Sequence, residues 1–203
     1  MNSLRRANLF LLTENPLTIK TAISRGFALS AKPSLFLKAL AFFRKRCYNR
    51  HRRNKMKAVM FVCHGNICRS PTAEFVMKDI LKRKGKDGIV TVASSATSAE
   101  ELGNSVYPPA RRVLEKHGIN CGGKRAVRLK KGDYSKYDLF FCMDGRNAAN
   151  ALRIFGSDPD GKIILLTSAA ERSGEIEDPW YSGAFDEVYS QIRECCEVLA
   201  EKF

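Results

Sequence analysis

The sequence predicts an α/β fold, with four short parallel strands covered by helices on both faces and a loop after the first strand shaped to hold an anion. Three observations carry that expectation. Short apolar runs alternate with helical patterns from residue 58 onward, glycines punctuate them, and a loop rich in small and polar residues joins the first strand to the first helix.

Residues 58–62 read as a buried strand. Ala73, Val76, Met77, Ile80 and Leu81 then recur at helical spacing until Gly85 and Gly88 stop them. Residues 89–93 form the second predicted strand, and Ala110, Val113 and Leu114 mark a helix ended by Gly118. Residues 139–143 are the third strand, 148–155 a helix and 162–166 the fourth strand. In the last helix Phe185, Val188, Ile192, Cys195 or Cys196, and Leu199 form a buried stripe, and Arg193, Glu194 and Glu197 face water. Such a sheet binds ligands at the carboxyl ends of its strands, which is where Cys63 falls.

Charge divides the chain. Of 35 Lys+Arg and 21 Asp+Glu, residues 1–55 hold 13 of the basic residues and one acid, Glu14, so the remainder is nearly neutral. Nucleic acid is therefore not an expected partner of the domain at 56–203. The apolar stretch 35–43 is too short to span a bilayer, and Lys20 and Arg25 interrupt the only candidate for a secretory signal. The segment 1–55 is expected to be poorly ordered. It reads as a presequence, as a cationic arm, or as sequence upstream of a misassigned start. The last is favoured, because Met56-Lys57-Ala58-Val59-Met60-Phe61 leads straight into the first strand.

Seven cysteines, an odd number without framework spacing, point to a reducing cytoplasm. His51, His64 and His117 lie far apart without ligand spacing, so neither a metal nor a cofactor is expected.

The chemistry concentrates in Cys63-His64-Gly65-Asn66-Ile67-Cys68-Arg69-Ser70-Pro71, where five residues separate Cys63 from Arg69. Backbone N–H groups in a strand-to-helix loop, with the positive end of the helix dipole, make a concave phosphate-binding loop. The same field favours a thiolate, the nucleophilic form of cysteine, at the loop's start. Arg69 can fork onto two phosphoryl oxygens. Gly65 and Asn66 tolerate left-handed backbone, Ser70 can donate to sulfur, and Pro71 suits a first helical turn.

A leaving alkoxide or phenoxide needs a proton. Asp178, in Glu177-Asp178-Pro179-Trp180-Tyr181, is the candidate acid. Trp180 and Tyr181 beside it either wall a cleft for an aromatic leaving group or belong to the core.

Cys63 to Glu74 together with Asp178 to Tyr181 resembles the low-molecular-weight protein-tyrosine phosphatase family. The similarity runs through 94–98, 116–119, 137–138 and 142–144 to the last helix. The resemblance implies a four-stranded parallel sheet, a metal-free two-step reaction through a phosphocysteine on Cys63, and Arg69 stabilising the transferring group. Asp178 would be acid first and base second. Asn66, Ser70, Ser94 and His117 would form the polar network that holds the loop, although a histidine before Gly118 also reads as a helix cap. His64, Gly65, Ile67 and Cys68 complete the loop. The resemblance also implies that Cys63 and Cys68 can join under peroxide.

The expected substrate is a phosphotyrosine-containing protein or a small aryl phosphate, and a monomer is the expected form. Ala99-Glu100-Glu101 stands where many relatives carry an aromatic residue, so Glu100 makes one cleft wall acidic or is simply solvated. Three alternatives share the fold. Relatives that hydrolyse phosphoarginine usually carry Thr at the position of Ile67. An arsenate reductase would need relay cysteines, for which Cys121 and Cys142 are poorly placed. A non-catalytic phosphate-binding module would not need Cys63, Arg69 and Asp178 together.

Overall fold

The structure, a computed structural model, describes residues 58–203. The basic segment 1–55 and the readings attached to it lie outside the described residues. In chain order the elements are β1 (Ala58–Cys63), α1 (Arg69–Arg83), β2 (Thr91–Ala96), α2 (Pro108–Lys116), a 3₁₀ turn (Lys131–Ser135), β3 (Leu139–Cys142), α3 (Gly145–Phe155), β4 (Ile163–Leu165), α4 (Leu166–Ala169), α5 (Pro179–Ser182) and α6 (Phe185–Ala200).

The strands pair in the order β2-β1-β3-β4, all parallel. The four-stranded parallel sheet predicted from the sequence is thus the one observed. Its order fixes where a ligand goes. The chain winds outward from β1 to β2, then crosses to the other side of β1 for β3 and β4, which leaves a crevice beyond the carboxyl ends of β1 and β3.

Both faces of the two central strands are covered, which is why they read as unbroken apolar runs. Val59 and Phe61 of β1 and Leu139 and Phe141 of β3 face a cluster with α1, α2, α4 and α6. Met60 and Val62, with Phe140 and Cys142, face Ala151 and Phe155 of α3. The alternation has the two-residue period of a strand. In α6 the predicted stripe is buried at Val188, Ile192, both Cys195 and Cys196, and Leu199.

One expectation shifts. The second strand runs over Thr91–Ala96 rather than 89–93. Lys86 and Ile89 are tied into a turn with Gly88 at φ 73°, and pairing begins only at Thr91 opposite Ala58. The strand's far end is polar in sequence yet buried: Ser94 and Ser95 are each 1% exposed. The short helices α4 and α5 and the 3₁₀ turn carry too little periodicity to be seen in sequence. Among the described residues no helix is long and apolar enough to cross a membrane.

Phe141 is fully buried and its ring lies 5.4 Å, centroid to centroid, from that of Phe61. Phe141→Ala should lower unfolding stability by about 3–5 kcal/mol through lost contacts and a cavity between sheet and helices. Urea denaturation with an unchanged m-value is the measurement, and a loss under 1 kcal/mol would show that the site collapses freely.

Candidate active site

The loop from Cys63 to Arg69 closes the crevice. Its turn is made by Asn66, which takes the left-handed conformation at φ 59°. That backbone is uncommon for any residue but glycine, and asparagine is among those that tolerate it best. Gly65 does not share it. Its lack of a side chain serves close approach instead, since a Cβ there would lie 3.0 Å from Glu101 Cγ. The Asn66 N–H points at Cys63 Sγ over 3.3 Å, and Ser70 Oγ lies 3.0 Å from the same sulfur. Arg69 is the first residue of α1, so the loop ends on the unpaired N–H groups and positive dipole end of a 15-residue helix.

Arg69 is buried, at 3% exposure, and its guanidinium is held on two sides. Nη1 donates to Asp144 Oδ2 (2.7 Å) and to the carbonyl of Ile176 (3.1 Å), and Nη2 donates to Asp178 Oδ2 (2.5 Å). Burial disfavours the cation, but the negative partners, Cys63 and the two aspartates, outweigh it and hold the Arg69 pKa above its ordinary value. Asp178 also caps α5, accepting from the Trp180 N–H at 3.2 Å. The acid and the neighbouring aromatic are thereby carried on one short element.

Cys63, Arg69 and Asp178 line a single cleft of about 240 Å³, whose walls include His64, Gly65, Ile67, Cys68, Glu100, Glu101, Trp180 and Tyr181. Trp180 is half exposed and rests on Tyr107 at 4.8 Å, while Tyr181 is almost fully exposed. Both sit at the cleft, not in the core. Glu100 is exposed at the cleft, with its Oε2 3.0 Å from His64 Nε2. A nucleophilic sulfur, a paired guanidinium and a carboxyl that converge where helix N–H groups point inward can bind a phosphoryl group, attack it and protonate what leaves.

Comparison with known proteins gives the same direction. Residues 58–203 match the family described as low molecular weight phosphotyrosine protein phosphatase. The chain belongs to that family. YfkJ of Bacillus subtilis, a low molecular weight protein-tyrosine-phosphatase, is 32% identical over 146 residues, covering 71% of this chain and 94% of that protein. Its crystal structure aligns with a TM-score of 0.68, covering 72% of this chain and 94% of that one. The low molecular weight phosphotyrosine protein phosphatase of Sus scrofa is 37% identical over 151 residues, covering 72% of this chain and 95% of that protein. The crystal structure of SP-PTP from Streptococcus pyogenes, at 35% identity and TM-score 0.65, covers 73% of this chain and 93% of that one.

Around the loop of this family member, most of the polar network expected from the sequence is assembled. Asn66 Nδ2 donates to both Ser70 Oγ and Ser94 Oγ at 2.8 Å, and Asn66 Oδ1 accepts from the Val127 N–H at 3.1 Å. His117 is the exception and its expected place in the network is corrected. It is the exposed C-cap of α2, its ring stacked on Tyr189 at 4.1 Å, because Gly118 turns the chain away immediately after it. Glu74 and Lys124 stand where it was expected: Ser94 Oγ donates to Glu74 Oε2 (2.6 Å), and Lys124 Nζ reaches the same oxygen (2.7 Å).

Four contributors escaped the sequence. Asp144 caps α3 with one oxygen and holds Arg69 with the other, a role hinted at by an acid directly after a strand beside β1. Glu74 and Lys124 looked like surface charges. Tyr107, which supports Trp180, lies in a loop without periodicity.

Cys68, at the N-cap of α1, has its thiol pKa pushed up to about 12, chiefly by burial and next by the neighbouring Cys63. It should remain a thiol at neutral pH. Brief treatment with iodoacetamide should therefore alkylate Cys63 and spare Cys68, as read by peptide mass spectrometry. Equal labelling of the two would contradict this account of the loop.

Proposed function

We propose that this chain is a phosphomonoesterase that hydrolyses phosphotyrosine and aryl phosphates through a phosphocysteine on Cys63. The observation that carries the proposal is the convergence of Cys63, Arg69 and Asp178 on one cleft beside the N-terminus of α1. The names of the relatives, phosphotyrosine protein phosphatases, support the choice of ester.

In the first step the Cys63 thiolate attacks phosphorus in line with the ester oxygen, the S–P bond forms and the P–O bond breaks. Asp178, in its acid form, gives its proton to the departing aryl oxide. In the second step Asp178 takes a proton from water, which attacks the phosphocysteine and releases inorganic phosphate with the thiolate restored. Loop N–H groups and Arg69 hold the equatorial oxygens throughout, where charge is greatest. Phosphate oxygens and Asp178 compete for Arg69 Nη2, so seating of the substrate releases the carboxyl, whose side chain is 32% exposed at the cleft, toward the ester oxygen. Asp144 keeps Nη1 and so fixes the plane of the guanidinium.

Trp180 and Tyr181 supply the wall for an aryl leaving group. Glu100 and Glu101, which also line the cleft, oppose acidic flanking residues. The cleft is built from one chain, in keeping with a monomer, and Cys63 and Cys68 stand in the loop as unbridged thiols, in keeping with the cytoplasm as its compartment.

Phosphotyrosine should be turned over far faster than phosphoarginine, and arsenate should not be reduced. Cys63→Ser should abolish turnover while phosphate still binds. Asp178→Ala should slow hydrolysis by roughly 10²–10⁴-fold, most for esters with poor leaving groups. If that variant loses rate equally for activated aryl and alkyl esters, Asp178 is not the proton donor.

A further inference from the structure

We propose that a polar cavity beside the catalytic cleft is a subsite for a lysine or arginine side chain, so that the preferred substrate is a phosphotyrosine with a basic residue close to it in sequence. The inference rests on the reading of the cleft as a phosphotyrosine site and names the class of phosphoprotein it takes.

The cavity, of about 540 Å³, shares His64, Arg69, Asp178 and Tyr181 with the cleft, so the two lie side by side. A phosphotyrosine whose phosphate rests on the loop N–H groups leaves its polypeptide at the rim. Where that rim is formed by Asp178 and Tyr181, it borders this cavity. A small aryl phosphate has nothing to place there, whereas a residue next to the phosphotyrosine does.

Charge selects which side chain. Six carboxylates and two guanidinium groups line the cleft and the cavity together. Asp144 and Asp178 are both bound to the buried Arg69, which leaves Glu100, Glu101, Glu175 and Glu177 against the exposed Arg146. Glu175 gives one oxygen to the Gly145 N–H at 2.8 Å, at the start of α3, and keeps the other. Glu177 is exposed. A floor that binds a phosphoryl dianion thus lies inside an acidic rim. Such a rim repels a bare phosphoanion and attracts a cation carried next to it, and the pattern is complementary to a phosphate flanked by positive charge.

Two further features point to a cation that donates hydrogen bonds. Asn147 of α3 lines the cavity, is 1% exposed, and its Oδ1 accepts no hydrogen bond. A buried acceptor without a donor is costly, and a side chain that brings N–H groups into the cavity relieves that cost. Tyr181 stands where cleft and cavity meet and is 87% exposed, so its ring is open to a cation. Lysine and arginine combine the charge, the donors and a long apolar stem. An acidic side chain in the same place would meet like charge and bring no donor.

Peptides that differ only in the two residues on either side of a phosphotyrosine, with Lys, Ala or Glu there, test the proposal. At low salt kcat/KM should rank Lys over Ala over Glu, by roughly 5–10-fold at each step and chiefly through KM. The differences should shrink at about 1 M salt, where the screening length is about 3 Å. Glu175→Gln combined with Glu177→Gln, which keeps an acceptor for the Gly145 N–H, should lose most of the preference for Lys while kcat for a small aryl phosphate is unchanged. Glu177→Lys alone should do the same, and it decides if the double variant does not fold.

Equal turnover of the three peptides would overturn the proposal. So would a preference for Lys that survives intact in those variants, since selection would then lie with Glu100 and Glu101. Binding of the same peptides to Cys63→Ser, read by fluorescence anisotropy, should give the same ranking without turnover. Should the native chain leave phosphotyrosine intact while Cys63→Ser still ranks the peptides in this order, the subsite stands and the phosphatase reading fails.

Discussion

A guanidinium nearly removed from water, as Arg69 is, has to be surrounded by acceptors or the domain does not tolerate it, and meeting that requirement arranges the rest of the site. The acceptors come from well-separated places in the chain: Asp144 follows β3, and the Ile176 carbonyl and Asp178 come from the segment after α4. Arg69 itself opens α1. One buried cation thus gathers the first helix, the end of the third strand and the acid-bearing loop around the cysteine. The site is less a set of side chains on a scaffold than the place where the scaffold's polar obligations are met.

The sheet supplies the location. Because β1 lies between β2 and β3 and the connections leave it in opposite directions, the ends of β1 and β3 have no crossover above them. Cys63 ends β1 and Asp144 follows β3, so the cysteine and the anchor of the guanidinium border the same opening. On the β2 side, the strand carries Ser94 beneath the loop and completes the polar support from the flank.

What the sequence disclosed and what it concealed divide along physical lines. The central strands were legible because burial on both faces leaves runs such as Val59 to Val62 and Leu139 to Cys142 with no polar residue to confuse the pattern. The loop was legible because Asn66, Ser70 and Arg69 are chemically constrained at fixed spacing. The register of β2 was not, since its buried end consists of serines whose hydroxyls are satisfied only by groups distant in sequence. Nor was the outer half of the network: Glu74 and Lys124 are 50 residues apart, and hydropathy assigns both to solvent. His117 attracted attention because histidine is rare and chemically versatile, whereas the position reached by the network lies beyond the turn that Gly118 initiates.

The four-residue helix α5 is capped by Asp178 and presents Trp180 one residue after Pro179, with the Tyr107 ring packed against the indole. The carboxyl and the indole therefore sit on one short element. A flat leaving group pressed against the indole registers its bridging oxygen relative to the carboxyl simply by lying down, while a slender aliphatic one has nothing to align it. Discrimination between kinds of ester would then emerge from leverage at the moment of bond cleavage, and would surface in turnover more than in the tightness of binding.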